Sequence, residues 1–317
     1  MSTKKTPVIM DCDTGPDDAL AIALAAASDK LEILGITTVA GNYEMSGILQ
    51  NTRRTLALTD PTIPYAVGCS DPLVRKLDTH GIHSVFHTDM FAAVGDEGPA
   101  PTYPDAVEYL HQTIMAQADP ITLILLGPLT NIAVLFAKYP EVKPHIKEMV
   151  IMGGSVYSGN ITKNAEFNIY VDPEAAKEVF ASGVHIVMFG LEGCHGCLLT
   201  KDDAAQIMGF GGRTAQIFGS MINDDVDRYY HHHKFPHACI YDAATLLWFE
   251  NKDAIFTREG YVHVPADPTD PLDGCTFTEF RPEYWGGHTA NTTVVMDTDP
   301  VGFKDMVIRL FEKYKQK

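Results

Sequence analysis

The segment DCDTGPDDALAIALAAA, residues 11–27, holds four carboxylates, Asp11, Asp13, Asp17 and Asp18, within eight positions. Like charges this close repel one another. Helix capping and a favourable macrodipole account for one or two acids at a helix start, but Asp11 and Asp13 precede the helix. A hard divalent cation rewards such crowding, because it takes oxygen ligands from carboxylates and backbone carbonyls. Calcium accepts more of them, in looser geometry, than magnesium. An EF-hand loop fails: counted from Asp11, its sixth and twelfth positions are Pro16 and Ile22, where Gly and Glu are needed. An aspartyl-nucleophile phosphohydrolase built on Asp11 and Asp13 fits the strand context, although Thr14 stands one place early.

The elements that must position these acids alternate between strand and helix. An apolar run at 7–11 leads into an Ala/Leu-rich helix from about Asp17. Strand-like runs follow at 31–39, 63–68, 121–127, 148–154 and 184–190, separated by helical patterns at 46–59, 105–117, 129–139 and 172–183. Continuous apolar strands alternating with helices predict an α/β fold, with an open, mostly parallel central sheet and helices on both faces. The last third is less regular, with a His-rich helix at 213–233, a helix near 242–249, short strands around 260–264, 276–280 and 291–296, and a closing helix at 301–315. Without a linker or an internal repeat, residues 1–317 read as one domain. In open α/β sheets, ligands sit beyond the carboxyl ends of the strands. Four polar clusters fall at such ends: DCDTGPDD, Gly41-Asn42, LGPLTN (126–131) and GGSVYSGNITKNAEFN (153–168).

Composition limits the partners. Asp plus Glu number 41 against 24 Lys plus Arg, a net charge of −17. No basic stripe neutralises phosphates, so neither nucleic acid nor an anionic membrane is expected as a partner. No apolar run has the length of a bilayer span. The N-terminus passes from a short polar stretch into a strand, which does not read as a signal peptide. Six cysteines are scattered, and Cys12 and Cys239 lie in contexts that read as free thiols, which together with the N-terminus points to the cytoplasm. Cys194 and Cys197 form CHGC but have no second pair at metal-binding spacing, so they read as loop thiols.

DCDTGPDDALA resembles the signature of the inosine-uridine-preferring nucleoside hydrolases, which cleave the N-glycosidic bond of ribonucleosides. GITTVAGN, LGPLTNIA, VIMGGSVYSGN, AEFNIYVDPEAA and YDAATLL resemble further segments of that family, in the same order. The resemblance implies a nucleoside hydrolase fold and calcium held by Asp13, Asp18, the Leu126 backbone carbonyl and Asp242, with Asp11 behind them orienting the loop. It implies Asp13 as general base on a water, and inversion at the anomeric carbon. It implies ribose recognition by Asp17, Asn42, Asn160, Glu166 and Asn168, with Met152 beside the sugar. It also implies a homodimer or homotetramer acting on a small-molecule ribonucleoside.

One departure bears on the leaving base. The family's best-known branch has His-Asp where this chain has Tyr241-Asp242. Tyr241 is the expected leaving-group contact, as proton donor or as stacking surface. His80 matches a family loop histidine near the base, and Tyr229, Tyr230 and His237 are further candidate acids. Two other readings stand beside the hydrolase: the phosphohydrolase above, and a nucleoside binder that lost its chemistry at Tyr241.

Overall fold

A computed structural model describes residues 4–79 and 93–315. The elements run β1 (Thr6–Cys12), α1 (Pro16–Ala26), β2 (Leu31–Thr38), α2 (Met45–Leu58), β3 (Tyr65–Ala66), α3 (Ala106–Met115), β4 (Ile121–Leu125), α4 (Thr130–Lys138) and β5 (Ile146–Met152). They continue through α5 (Phe167–Val171), α6 (Pro173–Phe180), β6 (Ile186–Phe189), β7 (Leu198–Thr200), α7 (Lys201–Gly209), α8 (Arg213–His233) and β8 (His237–Cys239). The chain closes with α9 (Leu247–Glu250), β9 (Ile255–His263), β10 (Phe277–Glu279), β11 (Thr292–Thr298) and α10 (Pro300–Phe311).

Nine strands form one sheet in the order β10-β9-β11-β6-β5-β4-β1-β2-β3. The strands from β11 to β3 pair in parallel, and β9 and β10 add an antiparallel edge. This is the open, mostly parallel sheet that the sequence predicts. Alternate side chains serve opposite faces. In β1, Val8, Met10 and Cys12 join one apolar layer while Ile9 joins the other. In β4, Ile124 joins the first and Leu123 and Leu125 the second. A strand buried on both faces has no polar alternation to show, which is why PVIM and ITLIL read as unbroken apolar runs.

Topology fixes where a ligand can enter. From β1 the chain moves to β2 on one side, and from β4 to β5 on the other, while β1 and β4 are themselves neighbours. Loops leaving adjacent strands in opposite directions open a crevice at their carboxyl ends. Asp13 follows β1 and Leu126 follows β4, so both stand at that crevice.

The structure departs from the expected elements in short pieces. The strand expected at 63–68 contracts to Tyr65–Ala66, because Pro64 cannot donate to the ladder. The helix near 242–249 is a 3₁₀ turn, Asp242–Leu246, running into α9. The sequence reading missed α5, α7 and the small antiparallel sheet of β7 and β8. These are brief elements stabilised by caps and contacts more than by a long apolar period. All six cysteines are free, and Cys194 and Cys197 are buried.

Asp172 ties three segments at the rim. It is fully buried and accepts from the Leu73 N–H (2.9 Å), the Thr130 hydroxyl (2.7 Å) and the Ala175 N–H (3.0 Å), which makes it the N-cap of α6. Asp172→Ala strands these donors away from water. It should cost about 3 kcal/mol, read as a lowered urea midpoint with an unchanged m-value.

Candidate active site

The acids at the β1–α1 junction are buried, with Asp11 1 % exposed and Asp13 and Asp18 fully covered. Each is fixed by donors from a different segment. Asp11 Oδ1 accepts from the Asn131 amide (2.7 Å) and from the Thr37 hydroxyl. Asp13 Oδ2 accepts from the Asn42 N–H at 2.7 Å. Asp18 Oδ2 accepts from the Gly15 N–H at 2.9 Å, closing the first turn of α1. Two glycines let the backbone approach Asp13: a Cβ on Gly41 would lie 2.3 Å from Oδ2, and one on Gly127 2.9 Å from Oδ1. The GN and LGP segments thus need glycine for packing against this carboxylate.

Above the acids opens a cleft enclosing about 880 Å³, its mouth included. One wall comes from the loops after β2, β4 and β5, and carries Asn42, Leu126, Met152, Asn160, Glu166 and Asn168. Asp17 and Asp242 stand at its floor. These residues are braced together. The Asn168 amide donates to the Leu126 carbonyl (2.8 Å) and the Met152 carbonyl (3.1 Å). Glu166 caps α5 and also accepts from the Gly154 N–H at 2.9 Å, while Asn160 Oδ1 accepts from the Phe167 N–H at 3.0 Å. The opposite wall comes from α8 and the segment after it, with Asp225, Tyr229, Cys239 and Tyr241. Asp225 was not singled out in the sequence, because an acid in a polar helix carries no local signal of facing a cleft.

Burial and mutual repulsion set the protonation of the acids. Burial raises Asp13 well above the usual carboxylate range, and the nearby Asp18 charge adds to it. Asp18 is pushed up to about 8, by burial and then by Asp17. Asp242 is raised well above its ordinary value by burial and by Asp17, Asp18 and Asp13. Burial raises Asp11 to about 6 and Glu166 to about 7 against the pull of their hydrogen bonds. Among the described residues, buried Asp13 Oδ1, Asp18 Oδ1 and Asp11 Oδ2 have no hydrogen-bond partner. Carboxylate oxygens of Asp17, Asp18 and Asp242 lie within 4.8 Å of one another. An all-oxygen donor set with unpartnered buried carboxylates fits a hard divalent cation, which would offset both the repulsion and the desolvation. In this close trio Asp17 takes the position expected of Asp13, which lies beside Asp18.

The other expected residues divide clearly. Tyr241 and Tyr229 line the cleft, and burial raises both phenols. Tyr230 is exposed, and His237 stacks on Phe235 outside the cleft lining. His80 lies outside the described residues. Asp13 and Asp18, and Asp11, which a phosphohydrolase would use as nucleophile, are buried and absent from the residues that line the cleft.

The switch point of a doubly wound α/β sheet thus gathers buried acids beside a hydrogen-bonding cleft. The chain belongs to the inosine-uridine preferring nucleoside hydrolase family, whose model matches residues 8–305. It is 36 % identical over 314 residues to the pyrimidine-specific ribonucleoside hydrolase RihA of Shigella flexneri serotype 5b, covering 95 % of this chain and 96 % of that one. RihA of Escherichia coli O157:H7 matches at the same identity and coverage. Among solved structures, a plant nucleoside hydrolase, the PpNRh1 enzyme, superposes with a TM-score of 0.89 at 24 % identity, over 98 % of this chain and 99 % of that one. The purine-preferring ribonucleoside hydrolase from Gardnerella vaginalis gives 0.86 at 23 %, over 97 % and 99 %. These structural likenesses carry the fold. Among the described residues, no helix is long and apolar enough to cross a membrane.

The raised carboxyls have a consequence for stability. Without a cation, Asp11, Asp18 and Glu166 hold protons in the folded chain to about 6, 8 and 7, where the unfolded chain has already lost them. The folded state therefore binds more protons across that window, and stability falls as pH rises. Acids whose values are lowered, such as Glu97 and Glu279, titrate below it, and His263, lowered by burial, pulls the other way. In chelator, the urea midpoint should fall between pH 5 and pH 8, and added calcium should reverse the fall. A midpoint rising with pH in chelator would contradict these protonation states.

Proposed function

We propose that the protein hydrolyses the N-glycosidic bond of pyrimidine ribonucleosides in a calcium-dependent reaction, releasing ribose and free base with inversion at the anomeric carbon. The observation that carries this reading is the buried set of acids at the β1/β4 crevice, with oxygens that find no partner within the chain. The pyrimidine preference rests on the likeness to the RihA enzymes along nearly the whole chain. The chain is read as one domain acting in the cytoplasm as a homodimer or homotetramer.

Asp13, Asp18, Asp242 and the Leu126 carbonyl would hold the ion. The Leu126 oxygen accepts one hydrogen bond, from Asn168, and has a second lone pair to give. When bound, calcium supplies a Lewis-acidic centre that orients a vicinal diol and makes a nearby water more acidic. Asp11, fixed by Thr37 and Asn131, holds the β1 end of the loop in register.

Asp13 serves as general base. Its Oδ2 is occupied by the Asn42 N–H, which leaves Oδ1 to take the proton of the attacking water. Base help of this kind contributes about two to four orders of magnitude. Asp17, Asn42, Asn160, Glu166 and Asn168 bind the ribose hydroxyls, and Met152 packs beside the ring. Carboxylates accept from hydroxyls, while carboxamides both donate and accept. The concentration of negative charge also stabilises the oxocarbenium-like transition state of glycoside cleavage. Direct attack by water leaves no covalent sugar intermediate. Tyr241 and Tyr229 face the departing base, and their phenols stay protonated and able to donate.

Asp13→Ala should lower kcat for uridine by about two to four orders of magnitude, with α-ribose the first product of the wild type by proton NMR. Asp242→Ala should weaken calcium affinity and activity together. Full turnover after dialysis into excess chelator would overturn the calcium assignment, and β-ribose as the first product would overturn direct attack.

A further inference from the structure

We propose that Asn51 of α2 is a positioning residue for the acid loop: it fixes the direction of Asp18 through the Thr14–Gly15 peptide. The inference rests on the calcium reading above and deepens it, by naming a side chain outside the cleft on which the strength of cation binding depends.

A polar face of α2 is turned inward. Asn51, Thr52 and Thr55 stand at helical spacing on that face, Asn51 1 % exposed and the two threonines fully covered. Apolar side chains would fill it without polar atoms to satisfy. The Thr55 hydroxyl donates back to the Asn51 carbonyl and the Thr52 hydroxyl to the Ile48 carbonyl, both at 2.9 Å. Thr52 has a single hydroxyl proton, already engaged, so in its 2.7 Å pair with Thr14 the Thr14 hydroxyl is the donor. The Asn51 amide donates to the Thr14 carbonyl at 2.9 Å. Thr14 is fully buried, and α2 holds both its hydroxyl and its carbonyl.

The Thr14 carbonyl and the Gly15 N–H belong to one peptide unit, planar and trans. Its N–H end donates to Asp18 Oδ2 at 2.9 Å. A rigid plane pinned at its oxygen by Asn51 has the direction of its N–H fixed as well, and two hydrogen bonds in series polarise each other. Asp18 Oδ2 is held in this way, and Oδ1 is the oxygen left without a partner among the described residues. Stability does not account for Asn51. Its own Oδ1 is buried and has no partner among the described residues, which disfavours the folded chain. What the side chain contributes is the orientation of a peptide that aims a carboxylate.

The test is a calorimetric titration of the whole chain with calcium alone, after dialysis against chelator, with the urea midpoint in chelator showing that each variant folds. Asn51→Leu, close in shape but without a donor, should bind calcium roughly tenfold to a hundredfold more weakly than wild type. Thr55→Val removes a buried hydroxyl from the same face, one that bonds only within α2, and should keep the wild-type affinity to within about twofold. Should Asn51→Leu fail to fold, Asn51→Ala decides by the same ratio. A folded Asn51 variant with wild-type calcium affinity overturns the proposal while the calcium reading stands. An equal loss of affinity in Thr55→Val also overturns it, since packing of α2 would then suffice. A wild type that takes up no calcium overturns both.

Discussion

Repulsion among buried carboxylates at the ends of β1 and β4 is the constraint on which the rest of the structure depends. Asp13, Asp17 and Asp18 each raise the proton affinity of at least one other acid of the group they form with Asp242, and burial removes the water that would screen them. A chain gains nothing in stability from such a group, since charges buried without partners are costly. The scaffold tolerates it with fixed donors. Backbone N–H groups of Gly15 and Asn42 each serve one carboxylate oxygen, and Asn131 holds Asp11. What these donors leave unsatisfied is the oxygen set that a cation fits.

The two walls of the cleft are built differently. The wall beside the sheet is a lattice of short hydrogen bonds in which Asn168 bridges the loops after β4 and β5 and Glu166 gathers three backbone N–H groups. Such a wall is braced to hold one geometry. The opposite wall is one face of a long helix and the short β7–β8 sheet, supplying aromatic rings, a thiol and one ion pair.

Much of this was legible in the chain. Unbroken apolar runs gave the parallel strands, because a strand covered on both faces excludes polar residues at every position. The clustered acids, Gly41-Asn42, the LGP turn and the AEFN segment marked the rim, because capping and turn chemistry leave local signatures. Ten of the expected site residues reach the cleft lining: Asp17, Asn42, Leu126, Met152, Asn160, Glu166, Asn168, Tyr229, Tyr241 and Asp242.

The rest was decided only in three dimensions. That β1 lies beside β4, which creates the crevice, depends on strand order, and no local pattern encodes strand order. That Asp17 closes on Asp18 and Asp242 while Asp13 faces Asn42 depends on side-chain directions at a helix start, where one residue turns the chain by about 100°. That Asp225 faces a cleft while Tyr230 faces solvent depends on how α8 packs, and a polar helix leaves that rotation unwritten. Sequence determines which chemistry is gathered, because residue types and short spacings are local. Tertiary structure determines which groups meet, because contact between distant segments is set by packing.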